Sequence, residues 1–228
     1  MATCVILAAG KGTRMKSPLP KVLHELGGLS LVGHVVHASA SIDSAPILVV
    51  GHQAEDVMGN IDDVRFAIQS PQLGTGHAVM VALPQIPNDA EPVLVLFGDT
   101  PLITPGTLEN LVAQIGTRQP LAVLAFQSEQ PGRYGRVVVK NGNVQEIVEA
   151  KDATDEQLAI QLCNAGVMAG TGEMFHRLLP KLSQQNAAGE YYLTDLVAMV
   201  RAEGLQVAYS LADEEEVAGV NSQHELSL

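Results

Sequence analysis

Short apolar runs alternate with stretches of helical spacing along most of the chain. Residues 3–8, 47–50 and 93–97 are predominantly apolar and of strand length, whereas residues 31–40 and 194–202 repeat apolar positions every three or four residues. This alternation predicts βαβ units in a mostly parallel, Rossmann-like sheet with helices on both faces. We therefore expect one α/β domain over residues 1–228, with ligands bound beyond the carboxyl ends of the strands.

The pattern changes after residue 126. Residues 136–140 and 143–149 have strand character and flank Asn141 and Gly142, a dipeptide typical of a two-residue hairpin turn. We expect a small antiparallel β lobe, about residues 128–170, inserted into the domain and lying over the strand ends.

The loop after the first strand carries an unusual charge for this chain. The whole sequence has 13 Lys and Arg against 25 Asp and Glu, a formal net charge of −12 that disfavours nucleic acid and membrane surfaces as partners. Yet four basic residues precede the first acidic residue, Glu25. They are Lys11, Arg14, Lys16 and Lys21. A solvated basic face is one interpretation, and a phosphate site is the other.

Glycines favour the phosphate interpretation. Gly10 and Gly12 alternate with these cations, and glycine lets backbone N–H groups turn toward phosphate oxygens without a Cβ in the way. The spacing matches neither a P-loop nor a dinucleotide fingerprint, so these residues alone do not identify the nucleotide.

Composition excludes several other kinds of protein. Two cysteines, far apart in apolar surroundings, predict neither a disulfide framework nor a metal knuckle. No apolar run approaches membrane-spanning length and no signal peptide is evident, so we expect a soluble cytoplasmic protein. The seven histidines lack metal-ligand spacing and are not assigned to catalysis.

Polar residues follow several of the predicted strands. Asp99 is either a turn residue or a Mg²⁺ ligand, since Mg²⁺ takes few protein oxygens beside those of phosphate and water. Gln69 is either an exposed amide or a base reader, because its donor and acceptor match the N3–H and O4 of uracil. Gly74 and Thr75 open a helix, where a cap by Thr75 and backbone contact with a base are compatible.

Seven motifs in order give a specific resemblance. Residues 7–15, LAAGKGTRM, followed by LPKVL at 19–23, resemble the signature of sugar-nucleotide pyrophosphorylases of the nucleotidyltransferase superfamily. The other motifs occupy residues 69–78, 97–99, 134–136, 149–152, 189–195 and 219–221. Together they are similar to the uridyltransferase domain of the bifunctional bacterial N-acetylglucosamine-1-phosphate uridyltransferase and glucosamine-1-phosphate acetyltransferase family.

The resemblance implies a fold, a reaction and a cofactor. The fold is of the nucleotide-diphospho-sugar transferase type, and the reaction converts UTP and N-acetylglucosamine 1-phosphate into UDP-N-acetylglucosamine and pyrophosphate with Mg²⁺. In that scheme Arg14, with Lys11 near it, meets the β and γ phosphates, Lys21 meets the α-phosphate, and Asp99 and Asn221 hold the metal.

The remaining expected roles also come from the resemblance. The residues expected to act in catalysis are Arg14, Lys21 and Asp99. Those expected to bind the nucleotide are Leu7, Ala8, Ala9, Gly10, Lys11, Gln69, Gly74 and Thr75. Those expected to bind the sugar phosphate are Phe97, Gly98, Gly135, Glu149, Asn164, Thr194 and Asn221.

The sequence departs from the family pattern in several places. Phe97, Ala150 and the Cys163-Asn164-Ala165 run differ from the usual residues, which concerns sugar affinity more than the reaction. The family's second domain is a left-handed β-helix of hexapeptide repeats, and no such repeat occurs in this sequence. We therefore expect a monomer and do not expect acetyl transfer. Two alternatives stay open: transfer involving CTP or another sugar phosphate, and a catalytically silent nucleotide-binding module.

Overall fold

Strands and helices alternate along the chain. The computed structural model describes residues 2–89 and 91–227. Its strands are β1 (Thr3–Leu7), β2 (Glu25–Leu26), β3 (Leu29–Ser30), β4 (Ile47–Val50), β5 (Arg65–Ile68), β6 (Pro92–Phe97), β7 (Leu121–Gln127), β8 (Arg136–Lys140), β9 (Asn143–Val148), β10 (Leu162–Thr171) and β11 (Val207–Leu211). Its helices are α1 (Leu31–Ser39), α2 (Ala54–Met58), α3 (Thr75–Ala82), α4 (Pro105–Val112), α5 (Asp155–Leu158), α6 (Gly172–Leu178), α7 (Asp195–Ala202) and α8 (Gln223–Leu226).

One mixed sheet organises the chain. Its strand order is β11-β7-β10-β6-β1-β4-β5, in which β6, β1, β4 and β5 are parallel to one another and β11 is parallel to β7. Only β10 in this row runs antiparallel, to both β6 and β7. The predicted mostly parallel α/β sheet is confirmed.

Helices cover both faces of the sheet, as predicted. Side chains alternate along β1, so that Val5 and Leu7 join one core cluster while Cys4 and Ile6 join the other. Buried residues of α3, α6 and α7 belong to the first cluster, and those of α1, α2 and α4 to the second. The strands are therefore buried on both sides, which explains their continuous apolar runs.

The predicted hairpin is formed by β8 and β9. Asn141 and Gly142 make its turn with positive φ angles of 52° and 73°. Strand β8 also pairs with β10 through Arg136 and Cys163, so the hairpin extends the main sheet. Its apolar side chains, Val144 among them, are buried in the cluster that also holds α7.

The ends of several strands meet at one edge of the sheet. In the register of β1, Leu7 lies opposite Phe97 of β6 and Val49 of β4, so these three strands end together. Because β10 is antiparallel, its amino-terminal end lies at this same edge, where the Asn164 N–H donates to the Gly135 carbonyl at 2.8 Å. The loops that carry the predicted site residues are thus brought side by side.

The structure bears on two features that the sequence analysis did not expect, a disulfide framework and a membrane-spanning helix. Cys4 and Cys163 are free and buried, and burial raises the pKa of the Cys4 thiol to about 12. Among residues 2–89 and 91–227, no helix combines the length and apolar character that crossing a membrane requires.

Packing at the start of α6 gives a test of the fold. A Cβ on Gly172 would lie 2.1 Å from the Pro87 carbonyl oxygen, so Gly172→Ala must displace backbone. We expect a loss of about 1–3 kcal/mol in the free energy of unfolding, measured by urea denaturation. Gly106→Ala in the first turn of α4 is the matched control, since nothing lies within 4 Å of that Cβ position. Equal losses in the two variants would contradict this packing.

Candidate functional site

A cleft of about 570 Å³ opens at the edge where the strands end. That volume is in the usual range of small-ligand sites. The predicted site residues that line it are Leu7, Ala8, Ala9, Gly10, Lys11, Lys21, Gln69, Gly74, Thr75, Phe97, Asp99 and Asn221. The glycine loop, the aspartate after β6 and the glutamine after β5 therefore share one cleft.

The glycine loop folds back on itself through close contact with Lys21. Gly12 has a φ of +57°, and a Cβ there would lie 2.6 Å from the Cβ of Lys21, so only glycine fits. Gly10, in contrast, has no atom within 4 Å of its Cβ position. Gly12 thus serves the packing of the loop, and Gly10 leaves the cleft open to a ligand.

Lys21 is the centre of a polar network. Its ammonium contacts the Asp99 carboxylate and donates to the Asn221 side-chain oxygen at 3.1 Å. The Arg14 guanidinium donates to the same Asn221 oxygen at 2.9 Å. The Lys21 and Asp99 side chains are only 14% and 16% exposed, so this pair is shielded from solvent.

Backbone contacts bring Asn221 to this network. The Val220 N–H donates to the Asp99 carbonyl at 2.8 Å, which fastens the carboxyl-terminal segment to the loop after β6. The Asn221 side-chain NH₂ donates to the Gly219 carbonyl at 3.1 Å. That bond turns the amide so that its oxygen faces the cations.

The Asp99 and Asn221 oxygens suit a divalent metal ion. Both contact the ammonium of Lys21, so two hard oxygen ligands already converge on one cation. Mg²⁺ commonly takes one or two protein oxygens and completes its octahedron with phosphate and water. In the part of the chain that the structure describes, no group of three His, Cys, Asp or Glu side chains could hold a metal. The donor set therefore fits a metal shared with a phosphate ligand.

The residues predicted to bind the sugar form a second cluster beside the cleft. The Thr194 hydroxyl donates to Glu149 Oε1 at 3.1 Å, and Gly135 lies against Glu149. Asn164 reaches the cluster through its bond to Gly135. The structure thus brings Gly135, Glu149, Asn164 and Thr194 together, although they are separate in sequence.

Phe97 lies between the cleft and this cluster. It lines the cleft, and its ring lies 2.7 Å from the position of a Cβ on Gly166, whose N–H donates to Asn164 Oδ1 at 3.0 Å. Gly98 is not one of the residues that line the cleft; its N–H donates to the Leu7 carbonyl at 3.0 Å and joins β1 to β6. Arg14 is exposed and reaches the cleft through Asn221.

Glu149 is the electrostatically unusual member of the second cluster, which Gly135, Glu149, Asn164 and Thr194 form. Burial raises the pKa of its carboxyl, and the charges of Asp152, Asp195 and Glu190 raise it further. The hydrogen bond from Thr194 acts in the opposite direction and lowers the pKa. Among the residues that the structure describes, Thr194 is the one side chain that donates to this carboxylate. A desolvated carboxylate with spare acceptor capacity is well suited to accept hydrogen bonds from ligand hydroxyls.

Four cleft residues were not assigned from the sequence: Val22, Gln72, Ala78 and Glu190. Gln72 donates to the Gln69 backbone carbonyl at 3.1 Å and thereby supports the loop after β5. All four lie inside motifs already recognised, at residues 19–23, 69–78 and 189–195, so the signal was present without a role attached to each residue.

Three comparisons with known proteins bear on this site. The family model described as MobA-like NTP transferase domain matches residues 4–157. Proteins named bifunctional protein GlmU are 44% identical in Cereibacter sphaeroides and 48% identical in Stutzerimonas stutzeri, over 98% of this chain and 50% of each relative. The chain thus spans about half the length of these curated relatives. An inositol-1-phosphate CTP transferase from T. maritima superposes with a TM-score of 0.73 at 16% identity, covering 98% of this chain and 90% of that one, which shows the fold alone.

The raised pKa of Glu149 predicts how stability depends on pH. The folded state holds this proton more tightly than the unfolded chain, so stability falls as pH rises from the ordinary carboxyl pKa through the raised one. Glu149→Gln removes this loss and keeps an acceptor for Thr194. We expect the variant to have a higher Tm than the wild type at pH 7 and a flatter pH profile, measured by calorimetry between pH 4 and 8.

The exposed Glu129→Gln variant is the control for this measurement. It should follow the wild-type profile. A Glu149→Gln profile parallel to that of the wild type would contradict the assigned burial effect.

Proposed function

Because this chain belongs to the family of MobA-like NTP transferase domains and its motifs resemble those of a sugar-nucleotide uridyltransferase, we propose that it transfers the uridylyl group of UTP to N-acetylglucosamine 1-phosphate. The products are UDP-N-acetylglucosamine and pyrophosphate. The relatives named GlmU confirm the resemblance drawn from the sequence motifs. The observation that carries the proposal is the cleft that Lys11, Lys21, Asp99 and Gln69 line together.

The proposed reaction is an in-line displacement at the α-phosphorus of UTP. The second pKa of a phosphate monoester is about 6, so the sugar phosphate is mostly dianionic at neutral pH and needs no general base. One of its oxygens forms a bond to the α-phosphorus while the bond to the oxygen bridging the β-phosphorus breaks. Pyrophosphate leaves with that electron pair, and no covalent enzyme intermediate is required.

The cations of the glycine loop are assigned to the phosphates. Lys11 lines the cleft and Arg14 reaches it through Asn221; both are exposed, and both are assigned to the β and γ phosphates. Lys21, which is more deeply buried beside Asp99, meets the α-phosphate. These groups hold the triphosphate in place and neutralise the charge that grows on the departing pyrophosphate.

A divalent metal ion is general in this family, and Mg²⁺ is proposed here. Asp99 and Asn221 would hold it, since their oxygens already converge on the Lys21 ammonium. When bound, the ion supplies positive charge at the phosphates that react. Besides meeting the α-phosphate, Lys21 keeps the two oxygens oriented and neutralises Asp99.

The second cluster, called here the sugar-side cluster, is proposed to bind the N-acetylglucosamine moiety. Its members are Gly135, Glu149, Asn164 and Thr194. Glu149 accepts hydrogen bonds from sugar hydroxyls, with Thr194 fixing the orientation of its carboxylate. Gly135 and Asn164 form the backbone wall next to it. At the other end of the cleft, Gln69, Gly74 and Thr75 are proposed to contact uracil, and residues 7–9 to support the nucleoside.

A panel of substrates tests the proposal. Pyrophosphate release should require UTP, N-acetylglucosamine 1-phosphate and Mg²⁺ together, so that leaving out any one abolishes it. The same assay with CTP or other sugar phosphates separates the alternative transferases, and UTP binding without release would indicate a silent module. The curated relatives do not favour these alternatives. A monomeric state and a cytoplasmic location stay predictions.

Arg14 tests the phosphate assignment. We expect Arg14→Ala to lower kcat on the order of 10²- to 10³-fold, because one preorganised charge is lost from the site where negative charge develops. Steady-state pyrophosphate release measures this. Arg118 is exposed and lies just before β7 begins, at the edge of the sheet opposite the cleft, so Arg118→Ala should retain wild-type turnover. Wild-type kcat in Arg14→Ala would remove this residue from the mechanism.

Asp99 tests the metal assignment. Asp99→Asn removes a charged ligand at constant size, so the Mg²⁺ concentration for half-maximal activity should rise by about tenfold or more. A Mg²⁺ titration of activity gives this value for each variant. Asp62→Asn, on the exposed surface, should leave the titration unchanged. An unchanged midpoint in Asp99→Asn would refute the assignment.

A further inference from the structure

We infer that His77 determines the base preference of the cleft by holding the Gln69 side-chain amide in the orientation that accepts a hydrogen bond from uracil. This inference rests on the nucleotide site proposed above. It concerns a histidine to which the sequence analysis gave no role.

The amide of Gln69 is fixed by two acceptors. Gln69 is only 3% exposed, and its Nε2 donates to the Gly74 carbonyl at 2.9 Å. The same nitrogen lies 3.2 Å from His77 Nδ1. Because a carbonyl oxygen can only accept, the NH₂ group must point toward Gly74, and its second hydrogen then points to His77.

The Gln69 oxygen is therefore the atom offered to a ligand. Gln69 lines the cleft, and within residues 2–89 and 91–227 its Oε1 accepts no hydrogen bond. This oxygen is also not fully enclosed by protein, because the enclosed side-chain atoms without a partner among these residues belong to His24 and Ser210. The buried amide thus presents one acceptor to the cleft and no donor.

Backbone donors lie next to this acceptor. Gly74 and Thr75 line the same cleft at the start of α3, where first-turn N–H groups have no acceptor inside the helix. The Thr75 hydroxyl accepts from the Leu193 N–H at 3.1 Å and so is engaged outside its own helix. The base end of the cleft therefore combines a side-chain acceptor with backbone donors.

This combination matches uracil and opposes cytosine. Uracil presents the N3–H donor beside the O4 acceptor, whereas cytosine presents the N3 lone pair beside the N4 amino donor. Cytosine in the same pose would place an acceptor against Gln69 Oε1 and a donor against the backbone N–H groups. Buried groups left unpaired in this way cost more than the matched bonds gain.

His77 is a positioning residue in this arrangement. To accept from Gln69 at Nδ1, the neutral ring carries its proton on Nε2. The ring is itself held by α3 and by Tyr191, whose ring centroid lies 6.2 Å away. Tyr191 is fastened by two backbone bonds of 2.8 Å, from its own N–H to the Leu73 carbonyl and from the Gly76 N–H to its carbonyl.

Without the His77 acceptor, the Gly74 carbonyl alone would orient the amide. Rotation of the Gln69 amide would then break one hydrogen bond, to Gly74, instead of two. The rotated amide offers its NH₂ group to the N3 of cytosine. Discrimination between the two bases should therefore weaken, while the phosphate-binding cations stay in place.

Two substitutions at His77 test the inference. His77→Asn keeps an oxygen acceptor near the position of Nδ1, and His77→Leu removes it. Calorimetric Kd values for UTP and CTP, together with pyrophosphate release from each, give the base preference. The wild type and His77→Asn should prefer UTP to a similar degree, and His77→Leu should lose about five- to tenfold of that preference, the effect of one hydrogen bond. His37→Leu, on the exposed side of α1, should match the wild type.

The outcomes separate this inference from the proposed function. An unchanged preference in His77→Leu, or equal losses in His77→Asn and His77→Leu, would overturn the role of the Nδ1 acceptor. Equal binding of UTP and CTP by the wild type would overturn it as well, even if pyrophosphate is released. Preferential binding of UTP without pyrophosphate release, with the expected His77 effects, would support the inference and refute the proposed reaction.

Discussion

The contact between the Lys21 ammonium and the Asp99 carboxylate is the interaction on which the site depends. Both side chains are mostly buried, and a buried charge that loses its partner costs several kcal/mol. The contact therefore ties the loop after β1 to the end of β6, and Asn221 joins through the bond to Lys21. In a chain of net charge −12, this local pairing keeps cations beside a carboxylate where a triphosphate can bind.

The sheet makes this contact possible. Strands β1 and β6 are parallel neighbours, with Leu7 opposite Phe97, so the loops that follow them start from the same edge. The antiparallel β10 brings Asn164 to that edge from the opposite chain direction, and the β8–β9 hairpin follows because β8 pairs with β10. A single strand of reversed direction therefore places the cluster around Glu149 beside the cleft.

The sequence predicts the parts of the structure that local patterns determine. Apolar runs predicted β1, β4 and β6, helical spacing predicted α1 and α7, and Asn141 with Gly142 predicted the hairpin turn. The helix Pro105–Val112 was missed, because Pro and Gly together resemble a turn, although Pro suits the first helical position after the Thr104 cap. The insertion of β10 between β6 and β7 depends on long-range pairing that no local pattern encodes. Likewise, the orientation of Gln69 follows from Gly74 and His77, which only the folded loop brings together.

The two ends of the cleft differ in a way that follows from solvent exposure. Lys11 and Arg14 are exposed, and at physiological salt their charges are screened over about 8 Å. In the proposed function they attract any triphosphate without regard to its base, because all triphosphates carry the same charged groups. Gln69 is buried and neutral, and its donors are already bonded, so a mismatched base leaves a buried acceptor unpaired. In the proposed function, attraction of the triphosphate and discrimination between bases thus depend on different side chains. A basic residue in place of Gln69 would strengthen attraction and weaken discrimination, because a positive charge attracts UTP and CTP alike.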